Sequence, residues 1–265
     1  QFLVLDNNSR ISLSNNDAGA SGRSYNTIFG YLAGDDLQGT GLYNSFFGDK
    51  AGHAVTTGDY NTAIGLNALD GSTVADRVTA IGTATLRGAV TADAQGAVGV
   101  GYGALNQLTS GASNVGLGYS AGYSLTVGSN NTAVGHEALR TSVDGSSNTA
   151  IGRKALYTFE GGSDAGENTA VGALAGFALS TGVSNTSIGK NSMTNATTAG
   201  YNVAVGVQAI GLGVATAASG YNTAVGATSL YDLTSGTGNV ALGAEAALNL
   251  TTGHQNTVVG RQALA

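Results

Sequence analysis

The chain has 265 residues, with 43 glycines, no proline and no cysteine, so disulfides and thiolate metal sites are excluded. Its formal charge is −6, and its 10 Lys and Arg side chains are scattered, which argues against a nucleic-acid partner or an anionic membrane surface. Charged residues make up only 10% of the chain, which argues against long disorder, and no apolar run approaches the ~18 residues of a membrane span.

Residues 1–24 stand apart from the rest of the chain. Phe2-Leu3-Val4-Leu5 and Ile11-Ser12-Leu13 flank the turn-forming Asp6-Asn7-Asn8, a pattern that predicts a β-hairpin acting as a cap or connector.

From residue 25 to 265 a single unit recurs, mostly at intervals of 17 residues, as from Asn114 to Asn131 to Asn148. It reads Asn-Thr-Ala-(Val/Ile)-Gly, two variable residues, Ala-Leu or Ala-Gly, a Thr/Ser-rich stretch and a second Gly turn. The Asn falls at Asn26, Asn44, Asn61, Asn114, Asn131, Asn148, Asn168, Asn185, Asn202, Asn222, Asn239 and Asn256, with Val78 and Gln95 at the same place in the two remaining copies. Steps longer than 17 keep the phase of the unit, so the extra residues are expected in surface loops, because a slipped strand would turn its apolar side chains to the wrong face.

Counting the Asn as first, the fourth position is always apolar, from Phe29 and Phe47 through Val98 to Val259, and the third is usually Ala. Seventeen residues are too few for a strand, a helix and two turns, and no 3.6-residue stripe runs through them, so β-structure is predicted. The reading is an all-β parallel solenoid, or β-roll, of about 14 coils, stacked ~4.8 Å apart into a rod of roughly 60 Å. The expected strand is five residues long, with its bulky fourth position buried and its Ala side facing another chain. A second short strand is expected at segments such as Ala68-Leu69, Ala138-Leu139 and Ala155-Leu156.

The fifth position is read as a corner that takes only glycine: Gly30, Gly48, Gly65, Gly82, Gly99, Gly118, Gly135, Gly152, Gly172, Gly189, Gly206, Gly226, Gly243 and Gly260. Such a site needs positive φ or lies too close to another backbone for a Cβ. Stacked Asn amides are expected to hydrogen-bond to one another or to the turn backbone, which accounts for the Asn column without a ligand.

The unit Asn-Thr-Ala-Val-Gly-x-x-Ala-Leu resembles the head repeats of trimeric autotransporter adhesins, and still more closely the Asn-Thr-x-x-Gly repeats of bacteriophage tail fibres. The opening Val4-Leu5-Asp6-Asn7-Asn8-Ser9-Arg10-Ile11-Ser12-Leu13-Ser14 before Asn26-Thr27-Ile28-Phe29-Gly30 is also similar to a phage fibre. The resemblance implies a homotrimer, a virion tail-fibre location or, alternatively, a bacterial cell surface, and attachment to a host glycan or protein.

No catalytic, metal or cofactor site is expected. Asp35 and Asp36 are adjacent and alternate faces, and Glu160, Asp164 and Glu167 read as solvated loop charges, so a polysaccharide-degrading tailspike is a minor alternative. His53, His136 and His254 occupy three different unit positions and form no ligand column. A Thr row at the second position raises an ice-binding solenoid as a further alternative, interrupted at Gly96, Val115, Val203 and Val240. Tyr25, Tyr43, Tyr60, Tyr201 and Tyr221 precede the Asn and form either a sugar platform or a cover for neighbouring coils. The candidate receptor-binding loop is the lengthened segment with Tyr157, Phe159, Glu160 and Asp164, since solenoid insertions tend to decorate one face. The insertion at 211–220 is aliphatic and small and is expected to pack.

Overall fold

The computed structural model describes residues 25–38, 40–160, 166–213, 215–216 and 220–265. The hairpin expected in residues 1–24 lies outside them. Among the described residues, strands β1 (Thr27–Phe29) through β14 (Thr257–Val259) form one 14-stranded parallel sheet in which each strand pairs with its successor. Register is one unit on the next, as in Thr132↔Thr149, Ala133↔Ala150 and Val134↔Ile151. No helix among the described residues is long and apolar enough to cross a membrane.

Each strand is three residues long rather than five, because both of its ends are fixed by left-handed backbone. The fifth-position glycine closes it, as at Gly65 with φ +128°. The residue before the Asn opens it, as at Tyr60 with φ 59°. At Gly65 a Cβ would also meet the carbonyl carbon and oxygen of Gly82, both at 2.8 Å, so the backbones of successive coils touch there. The expected second strand does not form. Its Leu is itself left-handed, as at Leu69 (φ 55°) and Leu139 (φ 50°), and that side of the coil is a run of turns. Those turns still bond from coil to coil, as Leu139 N–H does to the Ala155 carbonyl at 2.9 Å.

The expected inside and outside of the strand are reversed. Ala63, Ala80, Ala133 and Ala150 at the third position are buried, while Ile64, Leu117, Ile151 and Ile188 at the fourth face solvent. Volume explains this. The narrow interior is filled from the other sides of the coil by ninth-position residues such as Leu69, Leu139 and Leu156 and twelfth-position residues such as Leu108, Leu125 and Leu179, leaving room for a methyl on the strand. The exceptions obey the same constraint. Where the strand carries Phe46, the ninth position of that coil is Gly52, whose Cβ would lie 2.6 Å from the Phe46 ring.

One coil is out of phase with the sequence reading. Val98–Val100 forms the fifth strand and pairs Thr79↔Val98, Ala80↔Gly99 and Ile81↔Val100. The corner glycine there is Gly101 (φ +127°), not Gly99, which sits on the inward face of the strand and whose Cβ would lie 2.6 Å from Thr85 Cγ2. The Asn place is accordingly Ala97 instead of Gln95, whose amide oxygen lies at the surface and accepts from Arg77 Nη1 at 3.3 Å. The surplus residues of the coil that leads into it form a short 3-10 turn, Ala92–Ala94, with Ala94 buried.

Candidate functional site

Columns of side chains run along the rod, each built from the same positions of successive rungs. The first is internal. Asn131 is 1% exposed and its amide is fully used. Nδ2 donates to Gly145 O at 2.8 Å and to Asn114 Oδ1 at 3.0 Å. Oδ1 accepts from Asn148 N and from Asn148 Nδ2, both at 3.0 Å. The same pattern joins Asn168 to Asn185 and Asn222 to Asn239. The Asn column is a structural spine, with no free polar atom to offer a ligand in this stretch.

The second column is the outer face of the sheet. In a strand, second and fourth positions share a face, so Thr62, Thr132 and Thr149 lie beside Ile64, Val134 and Ile151. Phe29, Phe47, Ile64, Leu117, Ile151, Ile188, Val225, Leu242 and Val259 are all exposed on it. Phe29 and Phe47 stack at 5.0 Å at one end.

The tyrosines before the Asn pack on each other. Tyr25 and Tyr43 stack at 4.8 Å with rings 4° apart, Tyr43 and Tyr60 at 4.8 Å and 6°, and Tyr201 and Tyr221 at 5.1 Å and 5°. Arg77 lies over the Tyr60 ring at 5.6 Å. Ring faces between stacked rungs are therefore used by one another, while the remaining surface of each ring, largest at Tyr221, reaches solvent.

The third column lies on the corner after the glycine. Tyr102, Tyr119 and His136 stack at 5.2 and 5.0 Å, and Arg153 is the next residue in that column. Beside them, Arg140 lies over the Tyr123 ring at 5.7 Å and over Tyr157 at 6.0 Å, and Tyr157 stacks on Phe177 at 5.3 Å. Between the two runs, the Glu137 carboxylate faces Arg140 Nε at 3.3 Å, Lys154 Nζ at 3.3 Å and His136 Nδ1 at 3.5 Å. Lys154 Nζ also sits 4.9 Å from the centre of the Tyr157 ring. Arg140, Arg153 and Lys154 thus share this corner with the single carboxylate of Glu137.

The lengthened loop is divided by the fold. Tyr157 belongs to the corner just described and Glu160 is exposed, whereas Phe159 is fully buried. Phe159 is corrected to a core residue: it takes the twelfth position, which Leu125 and Leu179 fill in other coils, and its ring packs where a Cβ on Gly145 would fall 2.5 Å away. Asp164 lies outside the described residues. Phe159→Ala is expected to cost about 3 kcal/mol of stability, read by urea unfolding, with ligand adsorption by the folded fraction unchanged.

The other acids and histidines are dispersed. His53 Nδ1 lies 3.4 Å from Asp70, which also faces Arg87 Nε at 3.8 Å, and His254 Nδ1 contacts Thr237 Oγ1 at 3.0 Å. No group of three His, Asp or Glu among the described residues is placed to hold a metal ion. Sequence reasoning misses Arg140, Arg153 and Lys154. Their signal is present in the spacing, because Tyr123, Arg140 and Tyr157, like Tyr119, His136 and Arg153, recur at 17 residues.

Compared with protein-family models, curated proteins and solved structures, the chain has no match.

Proposed function

We propose that this chain is a non-catalytic segment of a trimeric phage tail fibre that spaces the fibre and contributes to attachment at the host surface. The observation that carries the reading is the column of Phe, Ile, Leu and Val on the outer face of the sheet, one at every rung from Phe29 to Val259 and exposed or half-exposed at each. Apolar faces of that extent mark interaction surfaces.

The partner best suited to cover it is another copy of the chain. Rungs follow one another in unbroken parallel pairing from β1 to β14, the extra residues of the longer coils lying outside the strands. A copy lying parallel presents the same rung spacing, so that the bulky side chains of one copy meet those of the other over about 60 Å. Closed rotation about the rod axis then buries the column on every copy, and the resemblance to tail-fibre and adhesin repeats supplies the number three.

The expected result is a native mass of three chains in solution. Ile151→Glu combined with Ile188→Glu is expected to give single chains whose circular dichroism stays β-rich, since both side chains point away from the coil interior. A wild-type chain that is monomeric and stably folded would overturn the assembly. Unchanged mass in the double variant would move the interface to another face.

A further inference from the structure

We propose that the corner around Arg153 and Lys190 is a binding site for an anionic saccharide, with carboxylate-bearing sugars as the class of ligand. The inference rests on the attachment reading above and specifies what is attached to.

Arg153, Ala173 and Lys190 occupy the sixth position of three successive coils, each following a corner glycine that bonds to the coil before it. The small Ala173 leaves a notch between two long cationic side chains, which stand two rungs, or about 10 Å, apart. Both are exposed, and among the described residues no ion pair or side-chain hydrogen bond engages either of them. They are the two cations of this corner with their charge unspent.

Their surroundings are fixed in advance. Lys154 is held by Glu137 at 3.3 Å and by the Tyr157 ring at 4.9 Å. Arg140 is held between Tyr123 and Tyr157. Tyr157 and Phe177 stack along the adjacent column, and His136 is next to Arg153 in its own. These held groups give the site a rigid surround, whereas Arg153 and Lys190 themselves are ordered by the ligand and give up side-chain freedom on binding.

Charge density selects the ligand. The chain carries −6 overall, which repels a dense polyanion. Duplex DNA presents one charge per ~1.7 Å and would need a far denser basic stripe. Two free cations about 10 Å apart instead suit a polymer with one acidic group every sugar or two, whose guanidinium and ammonium contacts are made singly and whose hydroxyls meet an otherwise uncharged surface. A trimer presents three such corners, so weak single contacts add by avidity to a polymeric ligand.

The test uses the full chain in its native assembly. Binding is measured at low and at physiological salt to polygalacturonate, to neutral dextran, and to polyglutamate as a carboxylated polymer without sugar. The expected result is binding to polygalacturonate alone, weakened about tenfold or more by Arg153→Ala with Lys190→Ala, and unchanged by Arg261→Ala at the exposed sixth position of the last coil. Unfolding curves of the double variant check that the rod is intact. Equal binding to polyglutamate overturns the saccharide class. Adsorption to host cells or polygalacturonate that the double variant leaves unchanged overturns this site while the attachment reading stands. A native chain that binds neither cells nor any of the polymers overturns both.

Discussion

Gly152→Ala is expected to destabilise the rod by on the order of 4 kcal/mol and to divide its unfolding into two transitions, while Gly260→Ala costs about 1–2 kcal/mol. The pair separates two effects that coincide at every other corner. Both glycines have strongly positive φ, +128° at Gly152 and +122° at Gly260. A Cβ at Gly152 would also lie 2.6 Å from the Gly172 carbonyl oxygen and 2.7 Å from its carbon, both backbone atoms of the next coil. At Gly260 no further coil among the described residues lies against the glycine, and the nearest atom is the Ala263 Cβ at 3.9 Å. Backbone cannot swing aside as a side chain can, so the coil above Gly152 must lift and the ladder bonds that join the two coils must lengthen. In a quasi-one-dimensional array the break is felt first by nearest neighbours. Urea titration gives the two stabilities, and amide exchange of β8 (Thr149–Ile151) and β9 (Thr169–Val171) locates the opening. Equal destabilisation at the two glycines would mean that the φ requirement alone explains the corner.

Asn131→Ala is expected to cost about 3–5 kcal/mol, from the 1–3 kcal/mol attached to each buried polar group left without a partner. Removing the amide strands the Asn148 backbone N–H, previously 3.0 Å from Asn131 Oδ1, and takes a donor from Gly145 O at 2.8 Å. Asn256→Ala removes a partly buried amide that no further coil among the described residues covers, and about 1 kcal/mol is expected there. Of the two natural interruptions, Val78 is compensated by a turn, while above Ala97 the Asn114 N–H has no hydrogen bond among the described residues. Val78 still donates its N–H to Asn61 Oδ1 at 3.0 Å but offers no amide to the coil above. In that coil the Ala97 N–H turns instead to Ala94 O at 3.3 Å, an acceptor supplied by the 3-10 turn. Asn131→Ala has no such turn to fall back on. A stability loss at Asn131 no larger than at Asn256 would show that water, not the column, satisfies these groups.

Several features are legible from residues alone because each rung repeats them. The Asn at the start, the glycine at the corner and the small residue between are single positions in the unit, and fourteen copies average out the exceptions. The fifth coil misleads for a local reason. Gln95, Ala97, Gly99 and Gly101 offer two frames with Gly after Val, and only the pairing Ile81↔Val100 distinguishes them. Phe159 misleads for another: an aromatic in a long loop looks like a contact residue until the twelfth-position slot it fills is seen from its neighbours.

Sequence by itself determined the period, the parallel in-register stack, the absence of a helical or disulfide framework, and the need for glycine at the corner. Tertiary structure decided which way each strand faces. A Thr-Ala-Val triplet alternates identically whichever side is inward, and the choice falls to the volume already taken by Leu139, Leu156 and Leu179 across the coil, which leaves space for Ala and turns Ile and Val outward. It also decided which distant residues share a corner, because stacking carries residues one unit apart in sequence to adjacent rungs and brings Tyr123, Arg140 and Tyr157 into one column.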